Sequence, residues 1–215
     1  MMRRSEPHAL IMAVCVAALC MAGCSTQESV KVRDIPARRV CIADFAPGEA
    51  DRGVGRSFAR RLAEQMRRLT AGTDVMVASG GDMEGLNAAQ ALREGGVPVD
   101  ALAAAQDRYA ADVLVLGRIT AYDPYFRPTL GVSAVALDPA DGTVRCSASR
   151  LWDAASPDVK DGIDKFYRTA ARGDEKQYGR QVYLVSPGYF RRFAAHSLAR
   201  ELVRKLSGSR ESAGQ

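Results

Sequence analysis

The run Asp112-Val-Leu-Val-Leu-Gly-Arg-Ile119 constrains the fold of this chain more than any other stretch. A strand with one wet face alternates polar and apolar residues. Here four apolar residues follow one another, so both faces need cover. Such a strand belongs inside a sheet with a layer on each side. Arg39-Val-Cys-Ile-Ala-Asp-Phe45 reads as another apolar strand, broken by Pro47 and Gly48, and Asp74 to Ala78 as a third. Between them Phe58, Leu62, Met66 and Leu69 recur at spacings of four, four and three, one face of a helix. A short helix over residues 86–93 closes at Gly95-Gly96. Asp100 is placed to cap an Ala-rich helix that reaches about Tyr109. The order strand, helix, strand, helices, strand implies three parallel strands.

Residues 130–138 and 143–152 add two strands around Asp141-Gly142, a favourable hairpin turn, and these must be antiparallel. The expected fold is therefore α/β: a mixed sheet of about five strands, three parallel plus an antiparallel hairpin, with helices on both faces. Residues 153–186 form a less regular extension with a helix over Val159 to Ala171. Ser186-Pro187 sets a capping residue before a proline at the first helical position and starts a last helix over 187–206. Residues 38–206 make one domain, and the polar tail 207–215 is expected to be disordered. Eleven of the 14 aromatic residues lie after position 120, so the second half either packs its own core or presents a partner surface. Trp152 is expected to anchor the end of the last strand in the core.

The amino-terminal segment addresses the chain rather than folding with it. Arg3 and Arg4 precede an unbroken apolar run of 13 residues, Ala9 to Met21. A membrane-spanning helix needs about 20, whereas a signal-peptide core is of this length. The run ends in Met21-Ala22-Gly23-Cys24, which resembles a bacterial lipobox with Met in place of the usual Leu. The thiol accepts the diacylglycerol, and small neighbours fit the peptidase. Residues 1–23 are thus expected to be a lipoprotein signal peptide, Cys24 the acylated new terminus, and residues 24–37 a tether. Thirteen extended residues after Cys24 reach about 45 Å at ~3.5 Å each. Ser25, where Asp would retain an enteric lipoprotein in the inner membrane, points to the outer membrane, with the domain facing the periplasm.

Hydrophobic residues make up 47% and charged residues 26% of the chain, ordinary globular values. The net charge of +5 falls by one if Arg3, Arg4 and Glu6 leave with the leader. That excess suits anionic lipid or wall polymers and is too weak to indicate nucleic acid. Cys41 and Cys146 remain in the mature chain, either as one disulfide of an oxidising compartment or as two separate thiols. His196 is the only mature histidine and there is no Cys-x-x-Cys, so no metal or other cofactor is expected.

Four features are candidates for function. Gly53-Val-Gly-Arg-Ser57 leads from a strand into a helix, where a phosphate could sit, but the nucleotide fingerprint is absent. Arg56, Arg60, Arg61, Arg67 and Arg68 could give the first helix a basic face for lipid headgroups, or form a solvated face with local ion pairs. Ala121-Tyr-Asp-Pro-Tyr-Phe-Arg-Pro-Thr129 holds Tyr122, Tyr125, Phe126 and Arg127 around two prolines, residue types that suit a partner-binding loop. His196 lies in the last helix, where a structural role is expected. There is no nucleophile elbow and no paired-carboxylate motif, so no enzyme is expected.

Ala43-Asp44-Phe45, Ala111 to Ile119, and the hairpin Ala136-Leu-Asp138 through Asp141-Gly-Thr-Val144 resemble the TolB amino-terminal-like superfamily. It includes lipoprotein activators of penicillin-binding proteins (LpoB) and the curli secretion lipoprotein (CsgG). The resemblance covers about residues 38–152, and its short apolar motifs specify a fold more than a function. It implies a non-enzymatic envelope lipoprotein that binds another envelope component, the peptidoglycan synthesis machinery among them, as an assembly or regulatory adaptor. Two alternatives stand beside this. One is a self-assembling subunit of an outer-membrane secretion complex, although no clear pair of membrane-inserting strands is visible. The other is an envelope hydrolase.

Overall fold

The computed structural model of this protein describes residues 35, 37–48, 50–78, 97 and 99–208. The signal peptide, Cys24, most of the tether, the helix expected over 86–93 and the tail beyond 208 lie outside the described residues. The elements are β1 (Arg39–Ile42), α1 (Arg52–Leu69), β2 (Asp74–Val77), α2 (Val99–Tyr109), β3 (Val113–Asp123), β4 (Thr129–Leu137) and β5 (Val144–Asp153). There follow α3 (Pro157–Thr169), a 3-10 turn (Gly173–Lys176), a short α4 (Val182–Val185) and α5 (Pro187–Gly208). One five-stranded sheet runs in the order β2-β1-β3-β4-β5. The pairs β1–β2 and β1–β3 are parallel, and β3–β4 and β4–β5 antiparallel.

β3 occupies the centre, as its composition requires. Val113 and Val115 enter one core with Val132, Ala134 and Ala148, while Leu114 and Leu116 enter a second core with Val135 and Leu137. The first core is roofed by α1, α3 and α5, the second by Leu102 of α2, so helices cover both faces. Phe58, Leu62 and Met66 of α1 are wholly buried, each worth about 1.5–3 kcal/mol relative to exposure. The late aromatics pack edge to face within the first core. The Phe166 and Tyr183 rings lie 5.4 Å apart, and those of Phe166 and Phe193 6.0 Å apart. Trp152 is buried there too.

Three local expectations change. Asp100 is not the cap of α2, which begins one residue earlier at Val99. α3 begins at Pro157 rather than Val159, because Ser156-Pro157 repeats the serine-proline start seen again at Ser186-Pro187. β3 runs four residues past Ile119, to Asp123, and takes Ala121 and Tyr122 out of the predicted loop. The chain passes from Ile119 to Ala121 through a bulge, and Tyr122 pairs with Leu130.

The sheet has two distinct ends. Ile35 and Ala37, expected in the tether, are buried in the first core. Asp112 fixes the chain there: one carboxylate oxygen accepts from the amides of Arg38 and Arg39, both at 2.8 Å. The Asp74 amide donates to the Arg38 carbonyl at 2.8 Å, and the Thr73 hydroxyl to the Ala37 carbonyl at 3.2 Å. At the opposite end close backbone contacts replace side-chain clamps. A Cβ on Gly55 would lie 2.0 Å from the Phe45 carbonyl oxygen. Gly48, at φ +59°, would place one 2.1 Å from the Ile119 carbonyl oxygen. Only glycine lets α1 and this turn approach the strands so closely.

Candidate functional site

The β3–β4 hairpin carries the most exposed aromatic side chains among the described residues. β1 pairs with β3 only over Val113 to Val115, with one further bridge between Ala46 and Arg118. Beyond that point β3 and β4 continue together to a tip at residues 124–128. Local chemistry shapes the turn. The Asp123 carboxylate accepts from the Tyr125 amide at 2.9 Å, an Asx turn, and Pro124 and Pro128 fix φ on either side. Arg127 sits at φ +69°, a left-handed conformation that costs a non-glycine residue about 1–2 kcal/mol. Its guanidinium carbon lies 5.4 Å from the centre of the Phe126 ring, within cation–π range.

Tyr125 is 79% exposed and Phe126 89% exposed. Sequence reading grouped Tyr122 with them, but the structure separates it. Tyr122 packs against the first core. Its hydroxyl accepts from Arg191 of α5 at 3.3 Å, and the same guanidinium lies 6.0 Å from its ring centre. Tyr122 therefore ties the hairpin to α5 and leaves Tyr125, Phe126 and Arg127 as the presented surface. Arg191 was missed in sequence. Nothing in a helix of mixed polarity marks which arginine meets a strand 69 residues away.

A groove of about 810 Å³ lies between β5, α3 and α5. Its rim holds Arg150, Lys165, Arg200 and Arg204, and His196 and Phe193 line it. Glu201 is tied into this rim by Arg150 at 2.7 Å and Lys205 at 2.9 Å. Burial alone would raise its pKa, but those hydrogen bonds outweigh it and hold the carboxyl below its ordinary value. His196 is buried, its Nδ1 3.1 Å from the Gln65 side-chain oxygen and its ring 4.8 Å from that of Phe166. Burial first, then the nearby charges of Arg200 and Arg68, lower its pKa to about 4, so it is neutral at pH 7. Ser197 adjoins it in the helix, and adjacent helical residues face apart. Among the described residues no group of three or more His, Cys, Asp or Glu side chains could hold a metal ion.

The remaining candidates take the following positions. The amino terminus of α1 is occupied by its own cap, since Asp51 accepts from the Gly53 amide at 2.6 Å. A carboxylate already sits where a phosphate would bind. Two arginines of the predicted basic face have acidic partners: Arg56 pairs with Asp44 at 3.0 Å and Arg68 with Glu64. Arg67 donates to the Val75 carbonyl at 2.7 Å. Cys41 and Cys146 are free thiols, which corrects the disulfide alternative. Cys41 lies on β1 in the second core and Cys146 on β5 against the first, with β3 and β4 between them. Three strand spacings are about 14 Å, twice the reach of a disulfide. Burial pushes the Cys41 thiol up to about 11 and raises that of Cys146.

No protein-family model matches the chain, and no curated protein matches it. Among solved structures it is similar to the PelC dodecamer from Paraburkholderia phytofirmans, at 15% identity and a TM-score of 0.45, over 85% of this chain and 91% of that one. A Xanthomonas campestris protein of the DUF330 family matches at 10% identity and a TM-score of 0.41, over 85% and 91%. Lipoprotein GNA1162 from Neisseria meningitidis matches at 13% identity and a TM-score of 0.35, over 55% and 85%. No helix among the described residues is long and apolar enough to cross a membrane.

Proposed function

We propose that this protein is a non-enzymatic lipoprotein of the cell envelope, held by an acylated Cys24 in the outer membrane. It faces the periplasm and acts as an adaptor that binds another envelope protein through the β3–β4 tip, in the manner of the TolB-like lipoproteins. The observation that carries the binding role is the exposure of Tyr125 and Phe126 on a proline-bounded turn. Two large rings held in water are unfavourable for a free chain and useful for a docked one. Because the turn is preset by Asp123, Pro124 and Pro128, little entropy is lost on docking. The lipid anchor rests on the apolar run and on Met21-Ala22-Gly23-Cys24.

Metabolic labelling with a palmitate analogue tests the anchor: label is expected on the protein and lost in Cys24→Ser. A photoreactive residue at Tyr125 tests the adaptor. Cross-linking to one defined envelope protein supports it. Capture of the chain's own copies alone removes this reading and favours the self-assembling subunit.

A further inference from the structure

We infer that the tip docks into a protein cleft standing beyond the end of the domain remote from the lipid anchor, and that this cleft is apolar with a carboxylate at its rim. The inference rests on the proposed anchoring at Cys24. The tether joins the sheet at Ile35 and Ala37, beside the start of β1, and Asp112 clamps it there. β1 and β3 run parallel, with Val40 opposite Val113, so β3 leaves this anchored end and delivers the hairpin to the other. The ten steps from Val113 to Asp123 span about 33 Å, and the turn adds to that.

The chain between Cys24 and Ile35 counts 11 steps, at most about 38 Å when fully extended at ~3.5 Å each. To bring the tip down onto the anchoring leaflet end-on, the tether would have to run back along the whole domain with no slack. Upright, the same tether lets the tip sweep outward to roughly 70 Å from the leaflet. The lengths therefore favour a partner reached away from the membrane over the membrane itself.

The chemistry of the cleft follows from what the tip offers. Its apolar surface is the pair of exposed rings, Tyr125 and Phe126. Of its two charged residues, Asp123 already accepts from the Tyr125 amide. Arg127 is left to meet the partner, its guanidinium over the Phe126 ring and its backbone at φ +69°. Strain of this kind persists where the surroundings impose it and is concentrated at binding surfaces. An aromatic pair beside one guanidinium is matched by an apolar pocket with a carboxylate at its edge.

The test uses the full-length, lipidated protein in vesicles of phosphatidylethanolamine and phosphatidylglycerol with brominated acyl chains. Phe126→Trp is the probe, and the buried Trp152 gives a constant background. Emission from position 126 is expected to be the same with and without bromine, and quenchable by acrylamide from water. Loss of emission in brominated vesicles would place the tip in lipid and overturn the inference. In cells, a photoreactive residue at 126 is expected to join one other envelope protein. That adduct should disappear in Arg127→Glu and return when the partner's rim carboxylate is replaced by lysine. It should also disappear when residues 25–32 are deleted, with Cys24 still acylated. An adduct that survives the deletion, or one made only with the chain's own copies, overturns the inference. A chain that takes up no palmitate fails the anchoring proposal instead, so the two outcomes are distinguishable.

Discussion

At the tether end of the sheet, side chains hold the backbone: Asp112 accepts from two successive amides and Thr73 donates to a carbonyl. At the hairpin end, backbone packs directly on backbone at Gly48 and Gly55, and above that layer stand two rings with few neighbours of their own. The first arrangement is built from individually modest hydrogen bonds and tolerates partial loss. The second allows no added atom beneath the surface and almost any change above it. The proposed anchor at one end and binding surface at the other would call on both.

The largest effect is expected beneath the hairpin end. Gly55→Ala forces a methyl against the Phe45 carbonyl and should lower the unfolding free energy by about 3 kcal/mol or more, measured by urea denaturation of the purified protein. Next comes the seam between α1 and α5. The His196 pKa falls from 6.5 to about 4 on folding, so the unfolded chain takes up the proton first as pH drops. Stability is complete above pH 6.5 and is lost between 6.5 and 4, by about 3 kcal/mol. A series of denaturation curves at stepped pH checks this, and His196→Gln should flatten the dependence. At the tether end, Asp112→Ala removes two hydrogen bonds and should cost about 1–3 kcal/mol, with amide exchange rising first at Arg38 and Arg39. The smallest effect belongs to the tip. Tyr125→Ser with Phe126→Ser should change stability by no more than about 0.5 kcal/mol while abolishing partner cross-linking. A large stability loss there would show the rings to be structural.

The central strand, the parallel unit and the α1 stripe were legible because burial on both faces leaves a mark in composition, and helical burial leaves one in spacing. The tip was legible too, since Pro124, Asp123 and Pro128 are turn chemistry written locally. Tyr122 was not separable from Tyr125, because a bulge between Ile119 and Ala121 decides how β3 continues, and no residue there announces it. The Cys41 and Cys146 alternatives also required register. Alternation within one strand says that neighbours face apart but not which face two distant strands share. Asp112 was read as the start of a strand, and its second role depends on the amides of Arg38 and Arg39, whose position only the folded sheet defines.

α5 lies along β5, the outermost strand on its side of the sheet. Lys205 donates to the Ser147 carbonyl of that strand, and Arg150 extends from it to Glu201. An open strand edge is a template on which another chain can add itself without limit. Here one carbonyl of that template is already taken by a lysine of the chain's own helix, and the Arg150–Glu201 pair ties the strand to that helix a few residues on. Were copies concentrated side by side, that contact would work against their zipping together edge to edge along β5, and would steer association toward surfaces other than this stretch of backbone.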